Sequence, residues 1–190
     1  MYRYLIGRKD GNIILRRDET GYERLVFQPI SWQKETDVPE RLEELSEQEL
    51  NQILQAFQLA ERVHANQKDK AGKPYINHPL RVSQLVEGGG EEITAALLHD
   101  VVEDTPITLK DLEEMGFSQR VVHAVDCVTQ RRHEPRQDYL CRVKSDETAV
   151  RVKLADLAHN ADLSRLVSPQ KKDIERAEKY KKEAEFLNRE

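Results

Sequence analysis

Apolar positions along the chain change their period once. Tyr2–Ile6, Asn12–Leu15 and Arg24–Phe27 are short strand-like runs, separated by the turn signals Lys9-Asp10-Gly11-Asn12 and Glu19-Thr20-Gly21. They predict a small β-meander that packs on the rest of the chain, being too small to stand alone. Ser31–Glu40 reads as a connector. From Ser46 the period is helical. Ser46-Glu47-Gln48-Glu49 has the form of a capping box, and Leu50, Ile53, Leu54, Phe57, Ala60 and Val63 follow on one face. A second helix is predicted from Pro79 to the stop at Gly88-Gly89-Gly90, and a third, apolar on most sides, from Ile93 to about Glu103 before Thr105-Pro106.

Further helices are predicted between Thr108 and Gly116, from Ser118 toward Thr129, over Arg136–Val143 and Ala149–Leu166, and from Ser168-Pro169 to the end. The last of these reads as a charged, solvated helix. The fold class expected is mainly α, a helical bundle with a small N-terminal β-meander. Residues 1–40 form the meander and connector, and 41–190 the helical domain.

The 190 residues are 38% hydrophobic and 34% charged, and no apolar run approaches the roughly 18 residues of a membrane span. The N-terminus carries no apolar signal segment, and Cys127 and Cys141 lack metal or redox spacing, so a reduced cytoplasmic setting is expected. With 30 Lys and Arg against 35 Asp and Glu, the net charge of −5 argues against a nucleic-acid partner. Small nucleotide anions remain compatible, since they need only a local cluster of cations.

Ala95–Asp104 carries the chemistry. This greasy helix holds His99, Asp100, Glu103 and Asp104 within six residues, and neither Lys nor Arg occurs between Glu92 and Lys110. A buried carboxylate without a partner is penalised by several kcal/mol, so a compensating cation is required, and a bound metal is the economical one. Asn77-His78-Pro79 offers a second imidazole on stiffened backbone, and Asp156 an isolated carboxylate in an apolar helix. His78, His99, Asp100 and Asp156 make a mixed N/O set suited to Mn, Fe, Zn or similar divalent ions. Glu103 and Asp104 each lie one turn beyond His99 and Asp100, at a helix C-terminus that disfavours their charge, and so suit general acid or base work.

A remote His, a His-Asp doublet and a remote Asp resemble the pattern of HD-superfamily metal-dependent phosphohydrolases. The strings Gly72-Lys73-Pro74-Tyr75-Ile76-Asn77-His78-Pro79, Ala95–Thr105 and Val152–Asn160 resemble, in order, the (p)ppGpp hydrolase domain of RelA/SpoT homologues, over about Leu50–Leu187. The nearest type is the single-domain small alarmone hydrolase. The resemblance implies an HD-domain helical fold in which His78, His99, Asp100 and Asp156 bind a metal, usually Mn²⁺. It further implies that Glu103 and Asp104 are the catalytic acidic pair, that Asn160 and Lys70 contact substrate, and that the 3′-pyrophosphate of (p)ppGpp is removed to give GDP or GTP. Two positions depart from the family: Asp69 stands where an arginine stacks on guanine, and Leu157 where an arginine often follows the distal Asp.

Lys153 reads as a partner for a site carboxylate or for phosphate, and Arg165 as a phosphate contact. Tyr75 reads as a core residue with its hydroxyl near the pocket. His64 and His159 read as packed rather than ligating, His123 and His133 as ordinary positions, and Arg131-Arg132 as a solvated pair. Two further readings stay open: an HD hydrolase for another nucleotide, such as NADPH or a nucleoside phosphate, and a nucleotide-sensing module without turnover.

Overall fold

Strand β1 (Arg3–Arg8) pairs antiparallel with β2 (Asn12–Asp18), and β2 with β3 (Gly21–Phe27), the turns falling at the two predicted signals. These contacts come from a computed structural model that describes residues 2–166 and 168–189. Two more strands, β4 (Ile30–Glu35) and β5 (Leu42–Leu45), complete an antiparallel sheet of order β4-β3-β2-β1-β5. Residues 31–35 of the stretch read as a connector are therefore sheet, and β5 is a strand inside the span assigned to the helical domain. The sequences ISWQKE and LEEL have little apolar alternation, and they become strands by pairing with β3 and β1.

The two faces of the sheet bury different residues, as the two-residue period of a strand requires. Ile6, Ile14 and Leu25 join the main helical core, whereas Leu5, Ile13 and Leu15 form a second cluster under Tyr22, Val38 and Leu42. The capping box at Ser46 is formed and starts α1 (Glu47–Val63), which buries Leu50, Ile53, Ala56, Phe57, Leu59 and Ala60. Helix α2 (Asn77–Leu85) begins two residues before Pro79, whose missing N–H falls in the first turn, where no intrahelical acceptor exists. The free carbonyls at its other end are taken by the sheet. Asn12 Nδ2 donates to Ser83 O and Val86 O at 3.1 and 2.7 Å, and Arg8 donates to Leu85 O at 2.9 Å.

The apolar helix predicted over Ile93–Glu103 is two segments, α3 (Gly90–Leu98) and α4 (Val101–Asp104), joined at His99 and Asp100. The break has a local cause: His99 Nδ1 donates to the Ala96 carbonyl at 2.8 Å, competing with the backbone ladder. The ladder resumes at Asp104 N to Asp100 O, 2.9 Å. Thr108 caps α5 (Leu109–Glu114), which Gly116 ends at φ 86°, and Ser118 caps α6 (Gln119–Val128). Helix α7 (Arg136–Lys144) follows.

Helix α8 (Glu147–Ala161) stops five residues short of the predicted Leu166. Asp162 accepts the Ser164 N–H and caps a separate 3₁₀ turn, Leu163–Arg165. Helix α9 (Lys171–Asn188) is not the solvated helix expected. It packs along α8 and buries Asp173, Ala177, Glu183 and Leu187, with Glu183 gripped at both oxygens by Arg136 (3.0 and 2.6 Å). Pairing makes the burial of these charges tolerable. No helix among the described residues is long and apolar enough to cross a membrane.

Candidate metal centre and its cleft

Three elements converge on one point. The first turn of α2 supplies His78, the α3–α4 junction His99 and Asp100, and the middle of α8 Asp156. His78 Nε2 lies 3.2 Å from His99 Nε2, 3.3 Å from Asp100 Oδ2 and 3.2 Å from Asp156 Oδ1. His99 Nε2 lies 2.9 Å from Asp100 Oδ2 and 3.8 Å from Asp156 Oδ1. The ligand atoms of His78, His99 and Asp100 all fall within 4.8 Å of one another. The His99–Ala96 bond at the break between α3 and α4 also aims the other ring nitrogen at the cluster.

Burial and mutual charge act against each other here. Burial pushes His78 down, but hydrogen bonds to Asp100 and Asp156 override it and raise its pKa to about 9. Burial likewise opposes the charge on His99, which the Asp100 charge raises. Burial pushes Asp100 and Asp156 up, yet His99 holds the first, and Lys153 the second, well below the usual carboxylate range. Two imidazoles and two carboxylates packed this closely, with Nε2 atoms facing carboxylate oxygens, are a donor set fit for a divalent cation.

Asp156 is not isolated. Lys153 Nζ sits 2.7 Å from its Oδ2, and Asn160 Nδ2 donates to its Oδ1. A fixed cation thus already offsets one of the carboxylates. Tyr75, half-buried, donates its hydroxyl to Asp100 Oδ2 at 2.6 Å. His159 stacks on His78, ring centroids 5.0 Å apart, with the two Nδ1 atoms 2.7 Å apart. Arg165 donates to its far nitrogen at 3.1 Å.

His78, Asp100 and Asp156 line a cleft of about 440 Å³. Glu103, Asp104, Lys70, Lys153, Asn160 and Arg165 all line it. Burial raises the pKa of Glu103, whose Oε2 accepts the Gln130 N–H at 2.7 Å, and burial with the Asp100 charge raises Asp104. Arg136 and Tyr180 also line the cleft. Nothing in the sequence singles them out: each is one polar position on a charged helix, brought there by the packing of α7 and α9.

A helical domain organised around a His/Asp centre able to hold a divalent cation is the class that this fold and site define. The chain belongs to the HD-domain family, whose model matches residues 56–180. A probable GTP pyrophosphokinase of Mycobacterium leprae is 37% identical over 134 residues, covering 64% of this chain and 17% of that protein. A probable guanosine-3′,5′-bis(diphosphate) 3′-pyrophosphohydrolase of Synechocystis is 37% identical over 134 residues, covering 63% of this chain and 17% of that one. The chain thus spans about a sixth of the length of these curated relatives. A solved structure, described as a metazoan ortholog of SpoT that hydrolyses ppGpp and plays a role in starvation responses, superposes with a TM-score of 0.59 at 27% identity. The match covers 72% of this chain and 85% of that one.

Proposed function

We propose that the protein is a metal-dependent phosphohydrolase that removes the 3′-pyrophosphate of (p)ppGpp, yielding GDP or GTP and pyrophosphate in the cytoplasm. The observation that carries this reading is the position of Glu103 and Asp104 in the cleft that His78, Asp100 and Asp156 line, with the ligand atoms of His78, His99 and Asp100 within 4.8 Å of one another. The similarity to proteins named for this activity supports it. Those four side chains would hold the divalent cation, Mn²⁺ in this reading. The ion would polarise the attacked phosphoryl group and lower the pKa of bound water toward roughly 7.

The remaining work falls to the chain itself. Asp104, its pKa raised, takes a proton from the attacking water, and Glu103, also raised, delivers one to the departing 3′ oxygen. Lys70, Arg165 and Asn160, together with Arg136, bind the phosphates, while Lys153 holds Asp156 in place. Incubation of the purified protein with ppGpp and Mn²⁺ should release pyrophosphate, and His99→Ala should abolish the release. Absence of turnover by the wild type would remove the substrate assignment.

One feature keeps a second substrate in view. Asp69 Oδ1 accepts the Ala71 and Lys73 N–H groups at 2.9 and 2.8 Å, so it braces the loop instead of offering a flat cation to a base. An HD hydrolase acting on NADPH or a nucleoside phosphate would suit such a loop. A nucleotide panel separates the two, and a wide margin in favour of ppGpp ends the second reading.

A further inference from the structure

Gln130, in the loop between α6 and α7, holds two residues of the cleft with two different groups. Its main-chain N–H donates to Glu103 Oε2 at 2.7 Å. Its side-chain Oε1 accepts from Arg136 Nη1 at 2.8 Å. The partners fix which way the amide points: a guanidinium can only donate, so oxygen faces it, and Gln130 Nε2 faces the Glu134 carbonyl at 3.4 Å. The loop itself is braced. Arg142 donates to Thr129 O at 2.9 Å and to both oxygens of Glu134 at 3.1 and 2.6 Å, and Glu134 accepts the Arg131 N–H at 2.9 Å.

A guanidinium has five N–H groups in one plane. In Arg136, Nε and Nη2 each donate to Glu183 on α9, and the plane lies over Tyr139 of its own helix, the central carbon 4.7 Å from the ring centroid. Neither contact relates the guanidinium to Glu103. The Gln130 oxygen does, because the same residue holds Glu103 through its N–H. The two N–H groups left over have no acceptor among the described residues, and Arg136 and Glu103 line the same cleft. Every residue except proline could supply the N–H to Glu103, whereas the contact to Arg136 needs a side chain with an acceptor at this reach.

We infer that Gln130 is a positioning residue for substrate binding: its side-chain oxygen sets the Arg136 fork in register with Glu103, so that a phosphate taken by the two free N–H groups lies at a fixed offset from the proton-delivering carboxyl. This rests on the phosphohydrolase reading above. The physical basis is preorganisation, since a third hydrogen bond to the cation removes motion that substrate binding would otherwise have to freeze.

Gln130→Met keeps the N–H on Glu103 and removes the oxygen from Arg136. With ppGpp and Mn²⁺ it should raise KM at least about fivefold, while kcat stays within about twofold of wild type and its pH profile is unmoved. A wild-type KM, or a kcat lowered as much as KM is raised, overturns the inference. Melting curves establish that the variant is folded; if it is not, Gln130→Ala, which also keeps the N–H and lacks the oxygen, is read in its place. A double-mutant cycle shows whether the effect runs through Arg136. In an Arg136→Lys background, where a single ammonium replaces the fork, Gln130→Met should change KM by less than about twofold, and an additive effect would equally overturn the inference. An active wild type indifferent to Gln130→Met defeats the inference alone. A wild type that does not turn over ppGpp defeats the functional reading, and calorimetric titration with inorganic pyrophosphate then decides the inference: binding about fivefold weaker in Gln130→Met sustains it, and equal binding overturns it.

Discussion

Lys153 Nζ and Asp156 Oδ2 meet at 2.7 Å, one turn apart on α8, with both side chains buried to within 13% and 7% of full cover. Both residues line the cleft, and Asp156 Oδ1 lies 3.2 Å from His78 Nε2. Burial pushes the lysine down, but the Asp156 charge overrides it and raises its pKa, so the ammonium is a permanent fixture of the site.

Removing that ammonium while keeping the stem should expose how much the cluster depends on it. Lys153→Met leaves Asp156 with two imidazoles and an amide, and a buried ion pair stripped of one partner typically loses about 3–5 kcal/mol. Calorimetry should show a marked fall in melting temperature without metal, and a larger recovery on adding Mn²⁺ than in wild type. An unchanged melting temperature would show that Lys153 contributes nothing to holding Asp156.

A divalent cation held by His78 and His99 would compete with protons for the same nitrogens. His78 titrates at about 9 in the folded chain against an ordinary 6.5, so the stability it contributes is full below 6.5 and is lost as pH rises through 9. The metal-free protein should therefore weaken across that window, by on the order of 3 kcal/mol. Mn²⁺ displaces the protons, so its affinity should climb over the same range. Urea unfolding and metal titration at several pH values test this, and stability that rises toward pH 9 would refute it.

Tyr75 is tied to the centre by one hydrogen bond, at 2.6 Å to Asp100 Oδ2. Tyr75→Phe keeps the ring and deletes the hydroxyl. Partners of this kind orient metal ligands, and their loss costs about 10–100-fold in affinity. Isothermal titration with Mn²⁺ should show that weakening; wild-type affinity would relegate the hydroxyl to packing.

Glu103 is held by the Gln130 N–H and raised by burial, which suits it to deliver a proton. Glu103→Gln should lower kcat by about 10²–10⁴-fold and remove the alkaline limb of the pH–rate profile. A retained limb assigns the proton transfer to another group.

Local signals were legible wherever a short stretch of chain settles its own structure. The box at Ser46 and the helix starts at Thr108 and Ser118 fall where they were read. The turns around Gly11 and Gly21 fold the meander. Strands β4 and β5 were not legible, because polar residues such as those of LEEL take up a strand only when β1 offers free backbone groups. The burial of α9 was hidden in the same way: its charges look solvated until Arg136 and Arg176 are placed beside Glu183 and Asp173. Arg136 and Tyr180 entered the cleft unannounced for that reason.

What the amino-acid order alone determined is the inventory of chemistry: two imidazoles, their acidic neighbours, and greasy flanks that cannot leave those acids uncompensated. Tertiary structure decided how the compensation is shared. Only packing brought His78 against His99 across 21 residues of chain and set both imidazoles beside Asp156. Electrostatic and hydrogen-bond energies depend steeply on distance and on the exclusion of water, and neither quantity exists until the helices have docked.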